Sequence, residues 1–580
     1  MFDIPALLSA IKTGSPANVL PYAADTSLYS RHAEALAAAE ERVRDELSQP
    51  IPELPFSKFR LFRDNGNRVV YERPYFARRF RLTDLETCLL AGRDTDGSLL
   101  AAFEDLLWEI CNEYSWALPA HIWPGEKRAD EITLDLFATE TGFYIAEALH
   151  IFGDRLDARV TARCRRELKR RIFDSYLGDY NEMWWERGEN NWGAVCAGSI
   201  GMAFLYAEKD PAQLETALAR VLRTMDLFIG SFPEEGTCEE GVGYWNYGFG
   251  FFTVFADFLY EFTAGKADLF AYPKIHEIAL FPQRMSLSEH CVASFSDGDK
   301  TRSLSPAVNA RLRARYSDMA ICRAGIGTKQ ISKPAWRLRD FLWCDPETEA
   351  TPLPDAVTFY RDKQWLIFRK APFAFAALFG HNGVSHNHND IGSFLLAYDE
   401  KEGPTDLGSG EYTRQYFGPE RFSILCNGSQ GHSVPIIGGN FQKDGRQYKA
   451  ADVSFEKCED EVRFAGDIAG AYGLDTLAAL KREFLLTDAA LTITDTFSFT
   501  GGAPSVTERF VGYAKAEVTA PGKASFGAFE AVFDPALKAG VKTEKMSVHG
   551  GSKLVDVFLL DIELPAGTPA FTVRFTPKAL

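Results

Sequence analysis

Residues 345–355 read DPETEATPLPD, and the hydrophobic pattern changes period on either side of them. Pro346, Pro352 and Pro354 each remove a backbone donor and fix φ, so neither a helix nor a central strand runs through the segment. It reads as a linker. Upstream, apolar residues recur every three to four positions, which predicts helices over 33–47, 99–113, 134–152, 158–176, 194–207, 211–229 and 251–262. Downstream, VTFYRDKQWLIFRK, FAFAALFG, DVSFEKCEDEVRFAGDI, LKREFLLTDAALTITDTFSF and LVDVFLLDIEL alternate and are rich in Phe, Val, Ile and Thr. Turn residues separate these segments, as in antiparallel strands of stacked sheets. The expectation is a multidomain α+β chain, with helices over 1–350 and an antiparallel β-sandwich over 351–580.

The 580 residues exceed what one ordinary core accommodates. A formal charge of −17 opposes wide contact with nucleic acid or an anionic membrane surface, although a local basic pocket could still hold an anion. The start, MFDIPALLSAIKTGSPANVLPY, lacks the basic and apolar regions of an export signal, so a cytoplasmic location is expected. The 10 cysteines are scattered without a CxxC pair and read as reduced, mostly buried thiols.

Three motifs carry chemistry. The first is GVSHNHNDIGSF (383–394), followed by PTDLGSG and CNGSQGHSV. If 386–388 were a strand, His386 and His388 would point the same way. His388, Asp406 and His432 offer two imidazoles and a carboxylate on neighbouring strands, a set that suits a divalent cation. A hydrogen-bonded polar strand end without metal explains the same residues. The second is WWERGENNWGAV (184–195), where Asn190 or Asn191 could hydrogen-bond a carboxylate and Trp192 could stack on a sugar ring. A helix N-cap with core packing is the alternative. The third is FPEEGTCEEGVGYWNYG (232–248), with Tyr244 and Tyr247 on one helical face if the turn is helical. Two core-edge tyrosines are the plainer explanation. Arg187 and Arg414 lie near these motifs as candidate anion contacts, with Arg302, Arg421 and Lys300 behind them; each also fits a solvated surface role.

Together, NNWGAV, EEGVGYWNYG, SHNHNDIGSF with TDLGSG, and SQGHSV resemble the heparinase II/III-like polysaccharide lyases over roughly 110–500. FSDGD (295–299), LRDFLWCDP (338–346) and ITLDLFATETG (132–142) have the same character. The resemblance implies an incomplete (α/α) toroid followed by antiparallel β-sheets, with a site formed between them. It implies β-elimination on a uronic-acid-containing glycan, with Asn191 neutralising the uronate, Tyr244 or Tyr247 as the catalytic phenol, and His386 as base or carboxylate partner. Tyr244 is preferred because it lies nearest the EGVG turn. It further implies that His388, Asp406 and His432 hold a structural zinc, with no organic cofactor. Trp192 stands where some relatives place a histidine, and His121 is the candidate substitute. Asn190, Trp192, Tyr247, His121, Glu240, Arg187 and Arg414 are the expected substrate contacts. The partner is an anionic oligo- or polysaccharide, imported if the enzyme is cytoplasmic; a homodimer is the one protein assembly considered. The rivals are an (α/α) glycoside hydrolase using paired carboxylates among Glu234, Glu235, Glu239 and Glu240, and a glycan-binding protein without activity.

Overall fold

The structure is a computed structural model and describes all residues except 124, 126, 181, 189, 299, 301–303, 321–325, 332, 350, 385, 414, 489, 549–553 and 579–580. Its contacts divide the chain into two units. The first comprises Met1–Pro233, Trp245–Ala279 and Leu304–Thr351; the second comprises Glu234–Tyr244, Leu280–Ser303 and Pro352–Leu580. Two segments of the helical half, carrying Tyr244 and the FSDGD aspartates, therefore group with the strands.

The first unit is a helical toroid. Leu136–Phe152 packs on Asn191–Ala207, which packs on Pro211–Ser231; Ala33–Leu47 and Ser98–Cys111 both pack on Val69–Leu90. Pro334–Trp343 returns to Val69–Leu90. The helices predicted from periodicity are present. The expected 158–176 helix is Ala158–Leu168 continued by a wider turn over Lys169–Phe173, and the 251–262 helix begins earlier, at Gly241. Val69–Leu90 has no clear apolar stripe because Arg78, Arg79, Arg81, Asp84 and Glu86 are buried on it. Arg79 pairs with Glu113 at 2.6 Å and Asp84 with Arg42 at 2.7 Å, so part of this charge is compensated inside the unit. Among the described residues, no helix is long and apolar enough to cross a membrane.

The second unit is built on an eight-stranded and a five-stranded antiparallel sheet, with smaller sheets of four and two strands. The five-stranded sheet runs from Ala356–Tyr360 through Trp365–Lys370 and Phe373–Leu378 to Phe394–Tyr398, ending on a short strand. The eight-stranded sheet centres on Leu477–Thr487, Ala490–Phe499 and Ala570–Pro577. Phe375, Phe394, Phe484, Phe510 and Phe575 fill the core, with ring centroids 5.2–6.2 Å apart. Strands of the eight-stranded sheet alternate between buried and outward residues, as expected of a sandwich, whereas Trp365–Lys370, Phe373–Leu378 and Phe394–Tyr398 are buried on both faces.

One buried cation in this core positions the loops above it. Arg482 faces Asp495 across the register of its hairpin, with Nε 2.8 Å from the carboxylate, and lies 3.2 Å from Glu508. Its Nη1 donates to the carbonyls of Gly392 (2.9 Å) and Ser433 (2.7 Å), pinning the two loops that carry His388 and His432. Arg482→Leu leaves Asp495 and Glu508 uncompensated in the interior, and is expected to lose about 3–5 kcal/mol of stability in denaturant unfolding. An unchanged midpoint would show that the loops are held by other contacts.

Candidate active site

Residues 383–384 and 386–390 lie in a loop, so the condition of a strand through 386–388 is not met, and His386 has φ +55°. The same holds for Asp406 and His432, which also lie in loops. A positive φ at a residue with a Cβ is held only where surrounding contacts enforce it, and such residues concentrate at functional sites. Here the enforcing contact is Asp297. Its Oδ2 accepts from His386 Nδ1 at 2.6 Å, and its Oδ1 from His388 Nε2 at 3.0 Å. Tyr412 donates to it at 3.1 Å, Arg421 Nη2 at 3.2 Å, and the Tyr416 hydroxyl also donates. Burial alone would raise the Asp297 pKa, but the hydrogen bonds from His386 and His388, with the charges of His388 and Arg421, hold it well below the usual carboxylate range. Ser296, its neighbour, has φ +58°.

Tyr244 stands on the first turn of Gly241–Phe262, where Gly241 takes φ +86° to start the helix. Its hydroxyl lies 3.0 Å from that of Tyr412 and 3.4 Å from His386 Nδ1, with the phenol and imidazole rings 4.8 Å apart. Burial pushes the phenol above its ordinary value; the Tyr412 hydrogen bond lowers it, and the charges of Glu240 and Asp297 add to the rise. The group is a proton donor at neutral pH. Phe417, 57% exposed, sets its ring 6.2 Å from His386. Tyr247, one turn on, has a different setting: it donates to Glu140 at 2.5 Å, and Lys333 caps its ring at 4.0 Å while bonding Glu140 at 2.8 Å. These three residues all belong to the first unit. Of the two candidate phenols, Tyr244 is placed beside His386 within the second unit, and Tyr247 is placed with Glu140 and Lys333 within the first.

Below His388 lies a second cluster. His388, Asp390, Asp406 and His432 are all buried, and ligand atoms from the four lie within 4.8 Å of one another. His432 Nε2 bonds the Cys426 carbonyl at 2.9 Å, its Nδ1 faces Asp406 Oδ2 at 3.1 Å, and, although burial opposes it, the Asp406 carboxylate raises the imidazole's pKa. His388 Nδ1, Asp390 Oδ2, Asp406 Oδ2 and His432 Nδ1 have no hydrogen-bond partner. Burial, more than any other cause, pushes the Asp390 carboxyl up to about 6. Four unpartnered donor atoms converging on one buried point fit a divalent cation, and His388 would meet it with its far nitrogen already committed to Asp297.

In the first unit, Asn190 caps Asn191–Ala207 through its side chain, which accepts from Trp192 N at 3.1 Å, and Asn191 is the first helical residue. Trp192 lies 5.0 Å from the half-exposed Trp184 ring and 4.9 Å from His121, which is tied to Asp135 at 2.8 Å. Gly248 lets its helix approach this corner: a Cβ there would sit 2.9 Å from Asn191 Cβ and 3.1 Å from its Cα. Gly248→Ala is therefore expected to destabilise by about 1–3 kcal/mol despite its better helix propensity, as read by denaturant unfolding. A gain in stability would show that the start of the Asn191 helix yields. Arg187 pairs with Glu182 at 2.6 Å on the surface, and Glu240 is half-buried in the second unit. Arg414, and likewise Arg302, lie outside the described residues.

Sequence reading missed Asp297, Asp390, Tyr412 and Tyr416 as site residues. FSDGD and HNHND hold the two aspartates in plain view; the tyrosines of GEYTRQYF carry no signal beyond their spacing of four.

Residues 356–541 match the family described as Heparinase II/III-like, C-terminal. No curated protein matches the chain in sequence. Among solved structures, heparinase III aligns with a TM-score of 0.60 at 11% identity, covering 94% of this chain and 85% of that one. A mutant heparan sulfate lyase from Pedobacter heparinus gives 0.58 at 12%, covering 89% and 77%. The chondroitin AC lyase of Streptomyces coelicolor A3, solved with chondroitin sulphate, gives 0.56 at 14%, covering 100% and 83%. At such identities these likenesses establish the fold, a helical toroid followed by antiparallel β-sheets. Residues 356–541 thus form a heparinase II/III-like C-terminal region, and the chain as a whole shares the fold of these solved structures.

Proposed function

We propose that the chain is a polysaccharide lyase that cleaves a uronic-acid-containing glycan by β-elimination, leaving a 4,5-unsaturated uronate at the new end. The observation that carries this reading is the Tyr244 hydroxyl 3.4 Å from His386 Nδ1, in one cluster with Asp297. Binding alone needs no protonated phenol beside an oriented imidazole. Two of the carboxylates a hydrolase would need are engaged: Glu235 accepts from Arg361 N at 2.7 Å, and Glu239 pairs with Lys363.

The hydrogen at C5 of a uronate becomes removable when charge is drawn from its carboxylate. Asn191 is assigned that task as an amide donor, worth about 3 kcal/mol by comparison with oxyanion-hole donors in other enzymes. His386, with Nδ1–H taken by Asp297, keeps Nε2 to accept the C5 proton. Tyr244, held protonated by burial, supplies a proton to the departing O4. Trp184, Trp192 and His121 offer ring faces for neighbouring sugars. The substrate is a heparan-, chondroitin- or other uronate-type chain, since the structural relatives include heparan sulfate and chondroitin lyases.

His388, His432, Asp390 and Asp406, with two nitrogen and two oxygen donors, would hold a zinc ion in a structural role that sets the His388 loop. When bound, the ion supplies positive charge that neutralises the two carboxylates. A panel of uronate glycans (heparan, chondroitin, hyaluronan, alginate) tests the function. One of them should yield new ultraviolet absorbance from the conjugated uronate. Well-folded protein that gives no chromophore on the whole panel would refute the reading.

A further inference from the structure

We propose that Asp297 is a positioning residue for the elimination, one carboxylate that orients His386 through one oxygen and steadies the cation cluster through the other. The inference rests on the lyase reading for His386 and Tyr244. It adds a residue to which no role has been given, and a link between two sites otherwise treated apart.

The geometry is specific. Asp297 is 5% exposed and meets five donors with two oxygens: His386 Nδ1 and the Tyr412 hydroxyl at Oδ2, and His388 Nε2, Arg421 Nη2 and the Tyr416 hydroxyl at Oδ1. A hydrogen bond to Nδ1 fixes the ring of His386 and leaves Nε2 as its basic nitrogen. That bond is needed because His386 sits at φ +55°, a conformation its own backbone does not favour. The same carboxylate, by binding His388 Nε2, leaves His388 Nδ1 to face the cluster, the arrangement in which an outer carboxylate orients a metal-binding imidazole. Tyr412 donates to Asp297 and lies 3.0 Å from the Tyr244 hydroxyl, so the phenol is placed through the same group. His388, which would hold a cation at the cluster, therefore lies at one end of a continuous set of contacts that finishes at the proton-transfer pair.

The test compares wild type with Asp297→Asn, and reads two quantities. With the glycan that gives the chromophore, kcat should fall by roughly 10²-fold, as for a displaced catalytic group, while KM is unchanged. In cobalt(II)-loaded protein, the visible bands of the ion should shift and cobalt affinity should fall by about 10–100-fold. If Asp297→Asn does not fold, Tyr416→Phe replaces it. That side chain is fully buried and its hydroxyl reaches the cluster through Asp297, so a smaller change in the same direction is expected in both readouts. Unchanged kcat in the folded variant, or a change confined to KM, overturns the positioning role. Unchanged cobalt bands and affinity, or no cobalt bound by wild type, overturns the link to the cluster. If wild type yields no chromophore on any glycan, the lyase reading fails by itself, and the cobalt arm still reads the Asp297–His388 contact.

Discussion

Tyr244→Phe is expected to lower kcat by about 10²–10⁴-fold while the protein folds and binds glycan normally. The substitution removes one oxygen and keeps the ring, so the 4.8 Å packing on His386 survives. What disappears is the proton for the leaving O4, together with the 3.0 Å contact to Tyr412. KM should change little, since a hydroxyl acting only as the bond breaks contributes to the transition state and not to ground-state binding. The sign of the pH effect follows from the same environment. A phenol raised by burial stays protonated beyond its usual titration near pH 10, so loss of this acid does not limit kcat at neutral or mildly alkaline pH. Tyr247→Phe provides the contrast. It breaks the bond to Glu140 inside the helical unit, and its main effect should be on stability. If Tyr247→Phe abolished turnover and Tyr244→Phe did not, the roles given to the two residues would be reversed.

Removing the cation from the His388–Asp390–Asp406–His432 cluster should produce the largest change in stability. Without it, His388 Nδ1 and Asp390 Oδ2 lack a hydrogen-bond partner and His432 is left to Asp406 at 3.1 Å, and each unsatisfied buried polar group costs about 1–3 kcal/mol. The protein as purified is expected to contain a divalent ion in stoichiometric amount, to lose it to a strong chelator, and to show a lowered Tm that recovers when the ion is restored. His432→Ala should lower both ion content and Tm. This residue is the cleaner probe because its ring nitrogens face Cys426 and Asp406, whereas His388 is hydrogen-bonded to Asp297. Metal analysis showing no ion in wild type, with a Tm indifferent to chelator, would mean that protonation of Asp390 satisfies the cluster instead.

The sequence makes some of this legible and hides the rest for physical reasons. The change of period around 345–355 separates helices from strands because burial on one face imposes 3.6 in one and 2 in the other. Val69–Leu90 escapes that logic, since a helix surrounded by others can bury arginine when carboxylates from elsewhere in the chain meet it, as Glu113 meets Arg79. The alternation in SHNHND suggests a strand, but Asp297, 89 positions away from His386, bends the segment into a loop by taking both imidazoles. Residue types at the cation cluster are readable locally, and His388, Asp406 and His432 do come together with Asp390. Asp297 is not readable as a hub, because nothing around it in FSDGD announces five donors that arrive from 386–421. Likewise, the separate surroundings of Tyr244 and Tyr247 depend on tertiary partners, not on their shared motif.

The most direct measurement of the central claim is digestion of a susceptible uronate glycan in heavy-oxygen water, with mass spectrometry of the newly formed ends. Elimination by Tyr244 and His386 brings no water into the broken bond. The products should therefore carry no heavy oxygen at the cleavage point, and their masses should sum to that of the parent chain. Heavy oxygen incorporated at each cut, with products heavier than the parent by the added water, would mean hydrolysis and would contradict the assignment of these residues.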